Sequence, residues 1–223
     1  MMSAALLLGH RGSRATKSIP ENTIESFDLA LEHGCDGFEF DVRRTADGRA
    51  VICHDPQFGG VEIAAVGAIQ LRDVLALEQV LTRYPKRAFL DIELKVAGLE
   101  QHILEALKTH PPGKGFVVSS FLPDVLQSLR ILDPDLPLGL ICETHSQFDA
   151  WKRLPVQFVM PHFTLLDGGQ CEILHAARKK VLTWTVNSRE MILQVSDYGV
   201  DGIISDDTLL LRETLRPKGK QAE

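Results

Sequence analysis

GFEFDVRRTADGRAVICHD, residues 37–55, holds two runs of strand composition, GFEFDV (37–42) and AVICHD (50–55), with only a few residues around Asp47-Gly48 between them. A crossover between parallel strands needs a dozen or more residues, so these two runs must be antiparallel, and Asp-Gly is a strong hairpin signal. Seven further runs have strand character: ALLLGH (5–10), AFLDIEL (88–94), FVVSS (116–120), PLGLIC (137–142), QFVMPH (157–162), VLTWTV (181–186) and GIISD (202–206). With AVICHD set aside as the returning arm of a hairpin, eight near-continuously apolar strands remain, a pattern expected of strands buried on both faces. Eight βα units are the count of a closed (β/α)8 TIM barrel, here with a β-hairpin extension after strand 2 at the C-terminal mouth. An open doubly wound sheet shares the periodicity, which does not itself report closure.

Amphipathic segments fill the intervals. NTIESFDLALEHG begins with the capping residues Asn22 and Thr23, repeats apolar positions at Ile24, Phe27, Leu29 and Leu31, and stops at Gly34. LRDVLALEQVL, LEQHILEALK, PDVLQSLRIL, FDAWKRL, CEILHAARKK, REMILQVSDYG and TLLLRETL follow the same pattern. No Gly- or Pro-rich linker and no internal repeat divides the 223 residues, so one barrel domain over 1–223 is expected.

Hydrophobic residues at 44% and charged residues at 24% leave ample material for a core. A net charge of −6 with scattered Lys and Arg argues against a nucleic-acid partner, and only the tail RPKGK is locally basic. MMSAALLLGH has no basic region ahead of its apolar run and no cleavage site, so it reads as a first strand rather than a signal peptide or integral membrane segment. Cys35, Cys53, Cys142 and Cys171 show no CxxC or paired spacing. Free thiols buried as small hydrophobes in a reducing cytoplasm are the expectation, and with them a cytoplasmic location.

Polar residues that interrupt the apolar runs gather at strand ends, where a parallel barrel carries its reactive groups. His10 and Arg11 end the first strand, Glu39 and Asp41 lie in the second, His54 and Asp55 end the hairpin arm, and Glu93 and Lys95 end the next barrel strand. Ser119, Ser120, Glu143, His162, Trp184, Asn187 and Asp206 end the later ones. Residues two apart on a strand share a face, so Glu39 joins Asp41 and Glu93 joins Lys95. A two-residue turn at Asp47-Gly48 would set Asp41 opposite His54, and a three- or four-residue turn would shift that register by one or more. Three carboxylates at one mouth repel unless a cation neutralises them, and an all-oxygen set suits Mg²⁺ or Ca²⁺. The alternative is that each acid pairs with Arg43, Arg44 or Lys95. Two histidines, an Arg and a Lys beside such a metal could bind a phosphate and move protons.

These residues resemble the glycerophosphodiester phosphodiesterase family of (β/α)8 barrels. The matching stretches run in order along nearly the whole chain: HRG (10–12), PENT followed by SF (20–27), GCDGFEFDV (34–42), TADG and VICHD (45–55), IELK (92–95), SSF (119–121), WTVN (184–187) and GVDGIISD (199–206). The resemblance implies hydrolysis of a small glycerophosphodiester to sn-glycerol 3-phosphate and an alcohol. It implies one divalent cation, Mg²⁺ or Ca²⁺ with Mn²⁺ as a third candidate, on Glu39, Asp41 and Glu93. It also implies His10 and His54 as the acid/base pair, Arg11 and Lys95 on the phosphate, Glu21 and Trp184 in the substrate-binding set, and Asn22 as a helix cap. Two stretches depart from the family pattern: PQFGGVEIAAVGAIQ lacks the polar residues usual after HD, and the HRG–PENT loop is slightly longer. The apolar segment Phe58 to Ile69 keeps a lysophospholipase D or phospholipase C-like activity on a lipid as the alternative, with a catalytically silent phosphodiester-binding barrel behind it.

Overall fold

The structure is a computed structural model and describes residues 5–217. Strands β1 (Leu6–Gly9), β2 (Gly37–Arg44), β3 (Ala50–Ile52), β4 (Gln57–Phe58), β5 (Val61–Glu62), β6 (Phe89–Leu94), β7 (Phe116–Ser120), β8 (Leu138–Cys142), β9 (Phe158–Pro161), β10 (Lys180–Thr183) and β11 (Gly202–Ser205) follow one another along the chain. The helices are α1 (Ile24–Glu32), α2 (Leu77–Arg83), α3 (Glu100–Thr109), α4 (Pro123–Leu132), α5 (His145–Phe148), α6 (Gly168–Ala176), α7 (Arg189–Asp197) and α8 (Thr208–Leu215). The parallel ladder runs β1, β11, β10, β9, β8, β7, β6, β2 and closes through Leu8 opposite Gly37 and Gly9 opposite Phe38. It is a (β/α)8 barrel, and the open-sheet alternative is overturned by that closure.

Side-chain alternation divides the core in two. On β2 Phe38, Phe40 and Val42, and on β6 Leu90, Ile92 and Leu94, belong to the large cluster shared with the helices. The alternate positions face the axis, where Leu8, Phe89, Val117, Ile141, Phe158, Met160, Leu182 and Ile204 form a separate interior cluster. Among these, Gly37 permits the tightest approach: a Cβ built there would sit 1.8 Å from the Phe89 carbonyl oxygen. Gly37→Ala is therefore expected to destabilise the barrel by about 3 kcal/mol, a fall in Tm of about 6–12 °C, read by thermal unfolding.

Two helix expectations change. LRDVLALEQVL becomes helical only from Leu77, and FDAWKRL is the end of a four-residue helix followed by a 3₁₀ turn over Asp149–Lys152. At α1 the cap is Thr23 alone, whose side chain accepts from the Ser26 N–H. Asn22, with φ 59°, points its amide at Asp41 instead.

The hairpin register also differs from the two-residue turn. β2 and β3 pair antiparallel with Val42 opposite Ile52, and Thr45 N–H donates to the Arg49 carbonyl, so Ala46, Asp47 and Gly48 form a three-residue turn. Gly48 takes the left-handed φ of 80° that such turns place at their last position. Asp41 consequently faces Cys53, whose N–H it accepts, and not His54. The ladder stops at Ile52, and the Arg43 guanidinium pins the His54 carbonyl at 2.7 Å as the chain bends away. All four cysteines are buried and free. No helix among the described residues is long and apolar enough to cross a membrane. Residues 218–220 of the basic tail lie outside the described residues.

Candidate active site

The alternation that builds the interior cluster also delivers the polar groups to one mouth. His10 stands two residues beyond Leu8, Glu143 two beyond Ile141, and Trp184 two beyond Leu182, while Glu93 lies four beyond Phe89; all four line one cavity of about 310 Å³. Arg11, Glu39, His54 and Lys95 share its wall. That volume lies at the small end of ligand sites.

At the base, Glu39, Asp41 and Glu93 are buried and offer carboxylate oxygens within 4.8 Å of one another. The β2–β6 register explains the convergence, since Asp41 lies opposite Glu93 and Glu39 opposite Asp91. Each acid is held on one side. Arg11 N–H donates to Glu39 Oε2 at 2.9 Å, Asn22 donates to Asp41 Oδ2 at 2.9 Å, and the Arg11 Nε lies 3.2 Å from that same oxygen. Lys95 Nζ lies 2.8 Å from Glu93 Oε1 and 3.4 Å from Asp41 Oδ1, so one ammonium is shared between two of the acids. Arg43 is committed to the His54 carbonyl, and neither it nor Arg44 forms an ion pair with the acids among the described residues.

Glu39 Oε1 is buried with neither a donor nor a cation, and Asp41 Oδ1 and Glu93 Oε1 have only the Lys95 ammonium between them. Buried charge so poorly compensated is strongly unfavourable. Burial, with the charges of Asp41 and Glu93, pushes the Glu39 carboxyl well above the usual range. Burial raises Glu93 to about 7 against the pull of Lys95. Asp41 goes the other way, because Arg11, Lys95 and Asn22 together outweigh its burial. Three clustered acids with too few cations to neutralise them fit a hard divalent ion.

The two imidazoles are oriented alike. His10 Nδ1 lies 2.7 Å from Asp206 Oδ1, and His54 Nδ1 lies 2.7 Å from Asp55 Oδ1. Burial tends to raise Asp206, but the His10 hydrogen bond, with Asn187 and Arg14, takes it down to about 2. An ionised Asp206 can only accept, so His10 carries its proton on Nδ1 and turns Nε2, 4.0 Å from Glu39 Oε2, toward the acids. Burial, partly opposed by Asp206, lowers the His10 pKa and keeps the ring neutral.

Glu21 is not on the cavity wall. It grips Arg11 Nη1 at 2.8 Å and also pairs with Arg14, which reaches Asp206 as well. Trp184 is on the wall, edge to face with Phe121 at 5.6 Å, its indole N–H donating to the Met160 carbonyl. Asp91 escaped the sequence reading. It is fully buried beneath Glu93, accepts the Ser119 hydroxyl at 2.6 Å, and is raised by burial to about 8. The signal was present, since Asp91 stands two before Glu93 on the same strand and so on the same face.

A closed barrel with acids, imidazoles and cations gathered at the C-terminal mouth is the architecture of a barrel enzyme. The chain belongs to the glycerophosphoryl diester phosphodiesterase family, whose model matches residues 10–81 and 81–210. It is 29% identical over 246 residues to a glycerophosphodiester phosphodiesterase of Caldanaerobacter subterraneus, a match covering 96% of this chain and 99% of that one. A glycerophosphodiester phosphodiesterase of Bacillus altitudinis is 28% identical, with 90% of this chain and 94% of that one covered. Among solved structures, a phosphodiesterase of Oleispira antarctica in complex with the product sn-glycerol-3-phosphate superposes with a TM-score of 0.82 at 26% identity, covering 94% of this chain and 96% of that one. A glycerophosphodiester phosphodiesterase of Parabacteroides distasonis gives 0.84 at 25% identity, with 96% of each covered.

Proposed function

We propose that this chain is a metal-dependent glycerophosphodiesterase, releasing sn-glycerol 3-phosphate and an alcohol from a small glycerophosphodiester. The observation that carries the reading is the buried triad Glu39, Asp41 and Glu93, under-compensated in charge, at a cavity lined by two of its members together with two imidazoles and two cationic side chains. Family membership and the product-bound Oleispira relative support it.

Glu39, Asp41 and Glu93 would hold one divalent cation, which when bound supplies positive charge beside the phosphoryl oxygens and neutralises the acids. Mg²⁺, Ca²⁺ and Mn²⁺ all suit oxygen donors. Arg11 and Lys95 take the phosphate. The diester enters with one negative charge and gains more in a pentacoordinate transition state, so cations fixed beforehand by Glu21, Asp41 and Glu93 favour that state over the ground state. One imidazole takes a proton from the attacking oxygen, the glycerol 2-hydroxyl or water, and the other returns a proton to the departing alkoxide. His10 offers Nε2 for this work because Asp206 holds its other nitrogen. Trp184 and Phe121 supply an apolar wall for the carbon skeleton.

Phe58, Val61 and Ile69 are 41%, 42% and 72% exposed and lie off the cavity wall, so no observation favours an acyl-chain substrate. The test is a panel of glycerophosphodiesters assayed for glycerol 3-phosphate with Mg²⁺, Ca²⁺ and Mn²⁺ in parallel. Turnover is expected to disappear in excess chelator and return with one of the three ions. Full turnover in chelator would overturn the metal role, and a silent panel would overturn the activity.

A further inference from the structure

We infer that the Glu143 end of the cavity takes a positively charged headgroup, so that the preferred substrate is the glycerophosphodiester of a cationic amino alcohol. This rests on the activity proposed above.

Strand β8 turns Ile141 toward the barrel axis, and Glu143, two residues on, continues that face to the mouth. The Glu143 N–H is taken by the Gln147 side chain. Its carboxylate forms no ion pair among the described residues, in contrast to Glu39, Asp41 and Glu93, whose burial and clustering serve the base of the site. A lone solvated carboxylate on the wall of a pocket for a phosphodiester repels the substrate unless the far end of that substrate is positive. The remaining wall suits the same chemistry. Phe121 and Trp184 meet edge to face at 5.6 Å, and the Phe121 ring already accepts the Lys95 ammonium at 5.8 Å, so this wall has π surface to which an ammonium is attracted. Arg11 and Lys95 bind the phosphate of such a substrate, and Glu143, on the same cavity wall as Phe121 and Trp184, takes its ammonium.

The experiment compares glycerophosphocholine with the ester of 3,3-dimethylbutanol, which replaces the quaternary nitrogen by carbon and so differs in charge at the same shape. The wild-type ratio of kcat/KM is expected to favour the choline ester, and Glu143→Gln to reduce that ratio about fivefold, with Glu143→Lys reducing it further. Both esters are read on one protein preparation, so a general loss of activity cancels in the ratio. A ratio that Glu143→Gln leaves unchanged, or a wild type that treats the two esters alike, would overturn the inference while leaving the proposed activity standing. Failure of the wild type to cleave any glycerophosphodiester would overturn both.

Discussion

His10→Ala is expected to lower kcat for release of glycerol 3-phosphate by about 10²- to 10⁴-fold, the range for removal of a positioned proton-transfer group. The ring is half-buried, its Nδ1 is fixed 2.7 Å from Asp206, and its free Nε2 faces the acidic triad. No water replacing it would be held in that orientation. Asp206→Asn is expected to cost less, because the imidazole remains while its tautomer is no longer enforced. The double variant should be no slower than His10→Ala alone, since Asp206 acts through His10 and the two losses are not additive. Steady-state kinetics on the single and double variants, with circular dichroism to confirm folding, measures all three. An equal and independent loss for Asp206→Asn would assign that residue a contact with substrate instead. His54→Ala is expected to fall in the same range as His10→Ala, and full activity in both would remove the acid/base assignment altogether.

The barrel was legible because its strands are buried on both faces and few in number, and because a short Asp-Gly connection marks the one arm that does not belong to the parallel set. Site residues on strands were legible for the same reason: period-two alternation puts Glu39 with Asp41 and Glu93 with Lys95 whatever the tertiary detail. The parts that were misread depend on contacts between distant segments. The turn needed one residue more than Asp47-Gly48, because Thr45 and Arg49 form the closing pair, and that moved His54 off Asp41. Asn22 sits at a helix start and so reads as a cap, but the neighbouring Thr23 caps α1 and leaves Asn22 to hold Asp41 from another element. Asp206 gains its role only when β11 closes against β1 and brings it to His10, a pairing across 196 residues that no local pattern reports. Glu21 lies near the site as expected, but it acts on Arg11 rather than on the cavity.

Removing charge from the acidic triad is expected to abolish activity and, without metal, to make the protein more stable. Glu39 is the informative position. It is 4% exposed, its Oε1 has no donor, and its burial beside Asp41 and Glu93 already forces its carboxyl toward the neutral form. Glu39→Gln keeps the shape and is neutral throughout, so folding no longer carries the cost of protonating that carboxyl or burying it charged. In excess chelator the variant should unfold at a higher temperature than the wild type. Saturating metal reverses the order: at a hundredfold excess over Kd an ion bound only by the folded wild type stabilises it by about 2.7 kcal/mol, about 5–10 °C in Tm for a chain of this size. The variant should show little of that shift, and its kcat should fall by at least about a thousandfold. Differential scanning calorimetry with and without Mg²⁺ reads the effect independently of turnover. A wild type whose Tm is indifferent to Mg²⁺, Ca²⁺ and Mn²⁺ would show that the three acids are balanced by Arg11 and Lys95 alone. In that case catalysis would depend on the imidazoles and the two cationic side chains.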